Sequence, residues 1–193
     1  NTLIKEVILK YLIAILEYDK KIAPFTLKGL EKKYYKEFTT DSGIRISIGG
    51  IIDRIDEKEG QIRIIDYKTG KLKDAFSSID ELFSGDATKR NDAAFQTLLY
   101  SLVLAKETDN LNIQPGLYFV RNIRKDNYSS KLLMGEPFKK KTPINSLQEV
   151  MSDFEPLLMH TLNEIFASEG KFEQTEDERY CGYCPYNDIC GKN

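Results

Sequence analysis

The chain has 193 residues, 41% hydrophobic and 11% aromatic, with 28 basic and 30 acidic side chains and a net charge of −2. That length and apolar content suffice for one packed core and exclude wholesale disorder, and the balanced charge gives no global basic coat for nucleic acid. No apolar run approaches the roughly eighteen residues that span a bilayer and no secretory signal opens the sequence, so an intracellular, cytoplasmic protein is expected.

Residues 2–19 carry Leu3, Ile4, Val7, Ile8, Tyr11, Leu12, Ile15 and Leu16 at helical spacing, which predicts a helix with a buried face. A connection containing Pro24 precedes three strands, near 33–38, 44–56 and 61–67, in an antiparallel meander whose Gly49-Gly50 pair marks a bulge. Residues 74–82 read as a short helix, which Ser84-Gly85-Asp86 breaks before a helix over 93–106. The apolar run 116–120 is expected as a strand inside the sheet, 130–134 as an edge strand, and 147–168 as a long amphipathic helix. A loop over 170–180 leads to the cysteines.

The functional signal lies in the second and third strands. Gly50-Ile51-Ile52-Asp53 and Ile64-Ile65-Asp66-Tyr67-Lys68 each end an apolar run in charge, and Glu57-Lys58-Glu59-Gly60 supplies the turn between them. A hairpin centred between Glu59 and Gly60 sets Asp53 opposite Asp66, where two like charges destabilise the sheet unless a cation neutralises them. Alternation places Lys68 on the face of Asp66 and turns Tyr67 to the other. Two carboxylates, the Tyr67 carbonyl oxygen and an ammonium are what metal-assisted phosphodiester hydrolysis needs: Mg²⁺ takes hard oxygen ligands, and Lys68 positions or deprotonates the attacking water or offsets transition-state charge. Asp66 and Lys68 alone would read as a surface ion pair; the carboxylate across the hairpin argues otherwise.

These residues resemble the PD-(D/E)xK nuclease superfamily in its RecB/AddB-like branch, which runs through a G-x-x-D strand, a D-x-K strand and a helix bearing Q-x-x-x-Y. Here these are Gly50 to Asp53, Asp66 to Lys68 and Gln96-Thr97-Leu98-Leu99-Tyr100. The resemblance implies a restriction-endonuclease-like α/β (α+β) core, a central mixed β-sheet flanked by α-helices, covering roughly residues 30–193. By the same resemblance Asp53 and Asp66 are metal ligands, Lys68 is the catalytic lysine, and Gln96 with Tyr100 contacts DNA and orders the site. Residues four apart share a helix face, so Gln96 and Tyr100 can look at one groove while Phe95, Leu98, Leu99 and Leu102 pack inward.

All three cysteines, Cys181, Cys184 and Cys190, fall in one terminal cluster too tight for a disulfide framework. AddB-like nucleases carry a similar triplet and complete a [4Fe–4S] cluster with an upstream cysteine that is absent here. Either the fourth ligand lies on sequence outside this chain, or Zn²⁺ is bound with a substitute such as His160. The family's histidine before the first strand also has no counterpart, since the sole histidine is His160 in the late helix. Some relatives place an acid on the strand before the hairpin, where Glu37 stands. Basic clusters at Lys68, Lys71 and Lys73, at Lys89 and Arg90, at Arg121, Arg124 and Lys125, and at Lys139-Lys140-Lys141 are candidates for the rim of a cleft.

The sequence therefore reads as a single nuclease domain over 1–193, with a helical lead-in at 1–29, a core at 30–170 and a cysteine-rich end at 171–193, a piece of a longer protein. Its expected activity is Mg²⁺- or Mn²⁺-dependent DNA hydrolysis, as an exonuclease of recombination and repair partnered by a helicase subunit or helicase domain. The alternatives are a catalytically weak DNA-binding or scaffold module, and a docking module built on the cysteine knuckle.

Overall fold

The computed structural model describes residues 2–71, 73–85, 90–167 and 178–191. The expected break at Asp86, the basic residue Lys89 and most of the expected loop 170–180 lie outside the described residues. The chain runs α1 (Thr2–Ile22), β1 (Thr26–Thr39), β2 (Arg45–Lys58), β3 (Gln61–Lys68), β4 (Ala75–Phe76), α2 (Asp92–Thr108), β5 (Ile113–Phe119), β6 (Leu133–Met134), β7 (Thr142–Pro143), α3 (Met151–Ile165) and α4 (Asn187–Cys190). No helix among the described residues is long and apolar enough to cross a membrane.

β-branched runs build a four-stranded sheet in the order β1-β2-β3-β5. β1, β2 and β3 are antiparallel neighbours, while β5 is parallel to β3. A parallel pair needs a crossover, and α2 supplies it. The result is the expected mixed sheet flanked by helices. On one face α2 buries Leu98, Leu102 and Val103 against Ile55, Ile64, Leu117 and Phe119, and α3 adds Phe154 and Leu158. On the other, Ile65, Tyr118 and Ile123 meet Ala14, Ile15, Tyr18 and Ile22 of α1.

Several expectations change. β1 begins at Thr26, because pairing with the long β2 extends it back beyond the residues whose pattern reads as strand. The Gly49-Gly50 pair sits in uninterrupted register with Tyr35 and Tyr34; the irregularity lies instead near Leu27 and Gly29. Residues 74–82 form β4 and a 3-10 turn over Asp80–Phe83 rather than a helix. There the parallel pairing of Ala75 and Phe76 with β6, and the Asn91 amide on the carbonyls of Lys73 and Ala75, outweigh local propensity. β5 stands at the end of the four-stranded order and is buried throughout, with Gly116 bridging to Lys131 on its outer side.

A further change concerns the first helix. Only Ala14 of α1 is buried, while Leu3, Ile4, Ile8, Leu12 and Leu16 are exposed. Within 147–168, the Ser146 hydroxyl caps a separate 3-10 turn over Leu147–Glu149, and α3 starts only after Val150.

Candidate functional site

The β2–β3 hairpin has the register its turn dictates: Lys58 faces Gln61, Asp56 faces Arg63 and Arg54 faces Ile65. Ladder pairing stops there, one position short of Asp53 and Asp66. In its place the Asp53 side chain takes over, with Oδ2 accepting the Tyr67 backbone N–H at 2.9 Å. The N–H and C=O of a strand residue leave on the same side, as the reciprocal bonds of an antiparallel pair require, so the Tyr67 carbonyl also points toward β2 and Asp53.

Asp66 is buried, and Lys68 lies beside it with Nζ 2.8 Å from Oδ2. That contact is an ion pair rather than a well-angled hydrogen bond, and among the described residues Oδ2 accepts from no other group. Burial pushes the Asp66 carboxyl above its ordinary range and the nearby Asp53 charge adds to the effect, while Lys68 opposes it. From α2, Gln96 Oε1 accepts from Lys68 Nζ at 2.8 Å, and Gln96 Nε2 donates to the Tyr100 hydroxyl at 3.0 Å. Gly50 completes the chain of contacts: a Cβ built there would lie 2.7 Å from the Tyr100 hydroxyl, so a side chain would displace it. The three sequence elements thus meet at one end of the β2–β3 hairpin, with Tyr100 of α2 packed close over Gly50 of β2.

α2 is aimed at this point by Asn91. Its side chain accepts the Ala94 N–H at the helix start and donates to the carbonyls of Lys73 and Ala75, tying the helix entrance to the segment that leaves Lys68.

Two carboxylates and one peptide oxygen fit a hard divalent cation that keeps waters and shares its shell with substrate oxygens, and Asp66 Oδ2 is a buried acceptor with lone pairs to offer. They do not fit a closed protein cage. Among the described residues no group of three His, Cys, Asp or Glu side chains is gathered closely enough to hold a metal, the three cysteines included. Those cysteines are reduced and partly exposed, around the short α4.

Other candidates fall elsewhere. Glu37 is exposed, and its neighbours Lys36 and Phe38 turn toward α2, so it projects from the opposite face of the sheet to Asp66. His160 is exposed on α3 beside Glu164, 3.5 Å away. Of the basic clusters, Arg121 donates to Tyr11 and Arg124 to Glu17, which fastens α1 rather than lining a cleft. Lys73 bonds the Arg90 carbonyl, Arg90 pairs with Asp92, and Lys139 pairs with Glu136. An apolar cavity of about 470 Å³ between Leu111, Met151, Pro156 and Met159 shares no residue with this constellation.

The sequence reading passes over the reverse side of the same strands. There Arg54, Asp56 and Arg63 are buried and ion-paired to one another and to Asp19 of α1. Burial opposes the Arg54 charge, but bonds to Asp19 and Tyr67 outweigh it and hold the guanidinium firmly protonated. The signal was available in Asp53-Arg54-Ile55-Asp56, which puts charge on both faces of a strand that must lie inside the sheet.

No curated protein matches this chain. The family model for the PD-(D/E)XK nuclease superfamily matches residues 2–191, the segment that carries the hairpin carboxylates, the lysine and the α2 glutamine. The chain belongs to the PD-(D/E)XK nuclease superfamily.

Proposed function

We propose that the chain is a DNA nuclease module of the RecB/AddB-like branch, hydrolysing phosphodiester bonds exonucleolytically beside a helicase subunit or helicase domain in recombination and repair. The observation that carries this reading is Lys68 held between Asp66 and Gln96, 2.8 Å from each, next to a carboxylate that bonds the intervening peptide. Nucleases of this superfamily generally depend on Mg²⁺ or a similar divalent metal. A bound Mg²⁺ or Mn²⁺ would polarise the scissile phosphate and lower the pKa of the attacking water.

The chain's own side chains divide the remaining work. Asp53, Asp66 and the Tyr67 carbonyl are the oxygen donors for the metal. The Lys68 ammonium has three N–H groups; Asp66 and Gln96 occupy two sides of it and leave one for a water or phosphate oxygen. Gln96, backed by Tyr100, keeps that ammonium from swinging away.

The partner we propose beside DNA is supported by α1, whose apolar residues Leu3, Ile4, Ile8, Leu12 and Leu16 are exposed and are the kind of surface a helicase neighbour would bury. A [4Fe–4S] cluster on Cys181, Cys184 and Cys190 would need a fourth ligand from beyond this chain. Its support is the Tyr186 backbone N–H, which donates to Cys184 Sγ at 3.4 Å, as ligating sulfurs commonly accept.

The test is degradation of end-labelled single- and double-stranded DNA with Mg²⁺, Mn²⁺ or EDTA, beside Lys68→Ala. Cleavage is expected only with metal, with release from a labelled end and a loss of roughly 10²–10⁴-fold in the variant. Cleavage that persists in EDTA, or that Lys68→Ala leaves unchanged, overturns the assignment.

A further inference from the structure

Asp53 has little backbone support. Toward β3 the ladder ends at Arg54 opposite Ile65; toward β1 it passes from Leu30–Arg54 to Lys32–Ile52 and skips Asp53. The residue of β1 at the skipped position, Glu31, is left-handed at φ 49°, which takes it out of the extended conformation that pairing requires. A donor carboxylate therefore sits at a gap in both ladders.

The reverse face supplies what the ladders lack. Arg54, next in sequence to Asp53, has a side chain only 4% exposed. Its Nε donates to Asp56 Oδ2 at 2.8 Å, and its Nη1 donates to Asp19 Oδ2 at 2.6 Å and to the Tyr67 hydroxyl at 3.3 Å. Asp56, fully buried, also accepts from Arg63 Nε at 2.6 Å. The Phe25 ring covers the guanidinium at 4.6 Å, and the Tyr118 hydroxyl holds the other oxygen of Asp19 at 3.1 Å. Tyr67 is thereby gripped at both ends: its hydroxyl by Arg54, its peptide N–H by Asp53. With Asp53 and Arg54 covalently adjacent, these bonds close a ring through the sheet.

A buried ionic cluster is a poor device for net stability, since apolar replacements of the same volume are often neutral or stabilising. It is a good device for fixing a geometry. We propose that Arg54 is a positioning residue, which acts through Tyr67 to hold the Asp53 carboxylate and the Tyr67 carbonyl in register with Asp66, so that the donor set for a divalent cation is preformed. This inference rests on reading those three groups as metal donors.

The test is Mn²⁺ binding to the full chain, followed by titration calorimetry and by the loss of the free-ion electron paramagnetic resonance signal. Wild type, Asp66→Asn, Tyr67→Phe and Arg54→Lys are compared, with melting temperatures and the Mg²⁺ dependence of DNA cleavage measured alongside. Tyr67→Phe removes only the hydroxyl and keeps the edge contact of the ring with Tyr118 at 5.5 Å, so it remains informative if Arg54→Lys does not fold. Asp66→Asn is expected to abolish specific Mn²⁺ binding. Tyr67→Phe should weaken it by about three- to tenfold, as the loss of one hydrogen bond allows, and Arg54→Lys by more, with the Mg²⁺ requirement for cleavage rising in parallel.

Wild-type Mn²⁺ affinity in Tyr67→Phe overturns the proposal, whether or not the melting temperature falls, because a purely structural role would lower stability alone. Absence of specific Mn²⁺ binding in the wild type overturns both the proposal and the reading of the donors. Mn²⁺ binding that weakens in Tyr67→Phe, in a protein that cleaves no DNA, sustains the positioning role and overturns only the nuclease activity.

Discussion

Gly50→Ala probes why the first motif opens on glycine. Gly50 is not left-handed, so alanine meets no backbone penalty and the effect is steric. The new Cβ would stand 2.7 Å from the Tyr100 hydroxyl and 3.0 Å from its Cε1, where ordinary contact begins near 3.4 Å. The phenol must then retreat by about 0.7 Å. Taken in line with the 3.0 Å bond from Gln96 Nε2, that retreat carries the separation to about 3.7 Å, beyond hydrogen bonding. Gln96 loses the anchor that aims its carbonyl oxygen at Lys68. A net hydrogen bond is worth about 0.5–1.5 kcal/mol, and about 1.4 kcal/mol is tenfold in rate, so kcat should fall by up to about tenfold.

Stability should fall by only about 1 kcal/mol, the low end of overpacking, because the displaced atom ends a partly buried side chain that can shift toward solvent. Wild type, Gly50→Ala, Tyr100→Phe and the double variant are compared by urea denaturation and by kcat on labelled single strands. Tyr100→Phe removes the atom the Cβ meets first, so the double variant should be less destabilised than the two single changes added together. Strict additivity, or a Gly50→Ala protein with wild-type kcat, refutes the contact chain from Gly50 to Lys68.

Asp66→Asn addresses the electrostatics of the same site. Burial, reinforced by the charge of Asp53, raises the folded-state pKa of Asp66 above its unfolded value of 3.8. The folded state then holds this proton more tightly, so the residue's contribution to stability is complete below the unfolded pKa and is lost as pH rises through the folded one. Without divalent cations, Asp66→Asn should melt above wild type at neutral pH, with the advantage shrinking as pH falls toward 4; thermal melts across that range check it, and a constant difference contradicts it. Asp56→Asn strips the carboxylate shared by Arg54 and Arg63 and should cost about 3–5 kcal/mol in urea denaturation. A loss under about 1 kcal/mol would show that the two arginines find other partners.

The parts of this fold that sequence discloses are those fixed by short-range rules. The two-residue turn at Glu59 and Gly60 sets the β2–β3 register, and the turn plus alternation was enough to bring Asp53 near Asp66 and to put Lys68 on the same face. Helical spacing alone was enough to align Gln96 with Tyr100. What escaped depends on partners distant in sequence. Residues 74–82 have a helical composition, but Ala75 and Phe76 gain more by pairing with Leu133 and Met134. The contact of Gly50 with Tyr100 joins two elements, and no local pattern announces it. For α1 the periodic apolar face was visible but its burial was not, because periodicity shows which side of a helix is greasy and not whether this chain covers it.

Limited apolar burial makes the polar attachments of α1 decisive. Asp19 pairs with Arg54, Glu17 with Arg124, Tyr11 with Arg121, and the Ile22 carbonyl with Lys58. Three of these four join α1 to groups that solvent could satisfy if the helix moved. Asp19 is different: Arg54 lies beneath Phe25 and between strands, where a departing carboxylate leaves a guanidinium charge with one fewer partner in a dry environment. The position of α1 is therefore bound to the hairpin by its costliest link, and that link runs through the residue beside Asp53. A displacement of α1 that broke the Asp19–Arg54 pair would reach Asp53 and the Tyr67 carbonyl through a single side chain, whereas one that broke only the Glu17–Arg124 pair would leave them where they are.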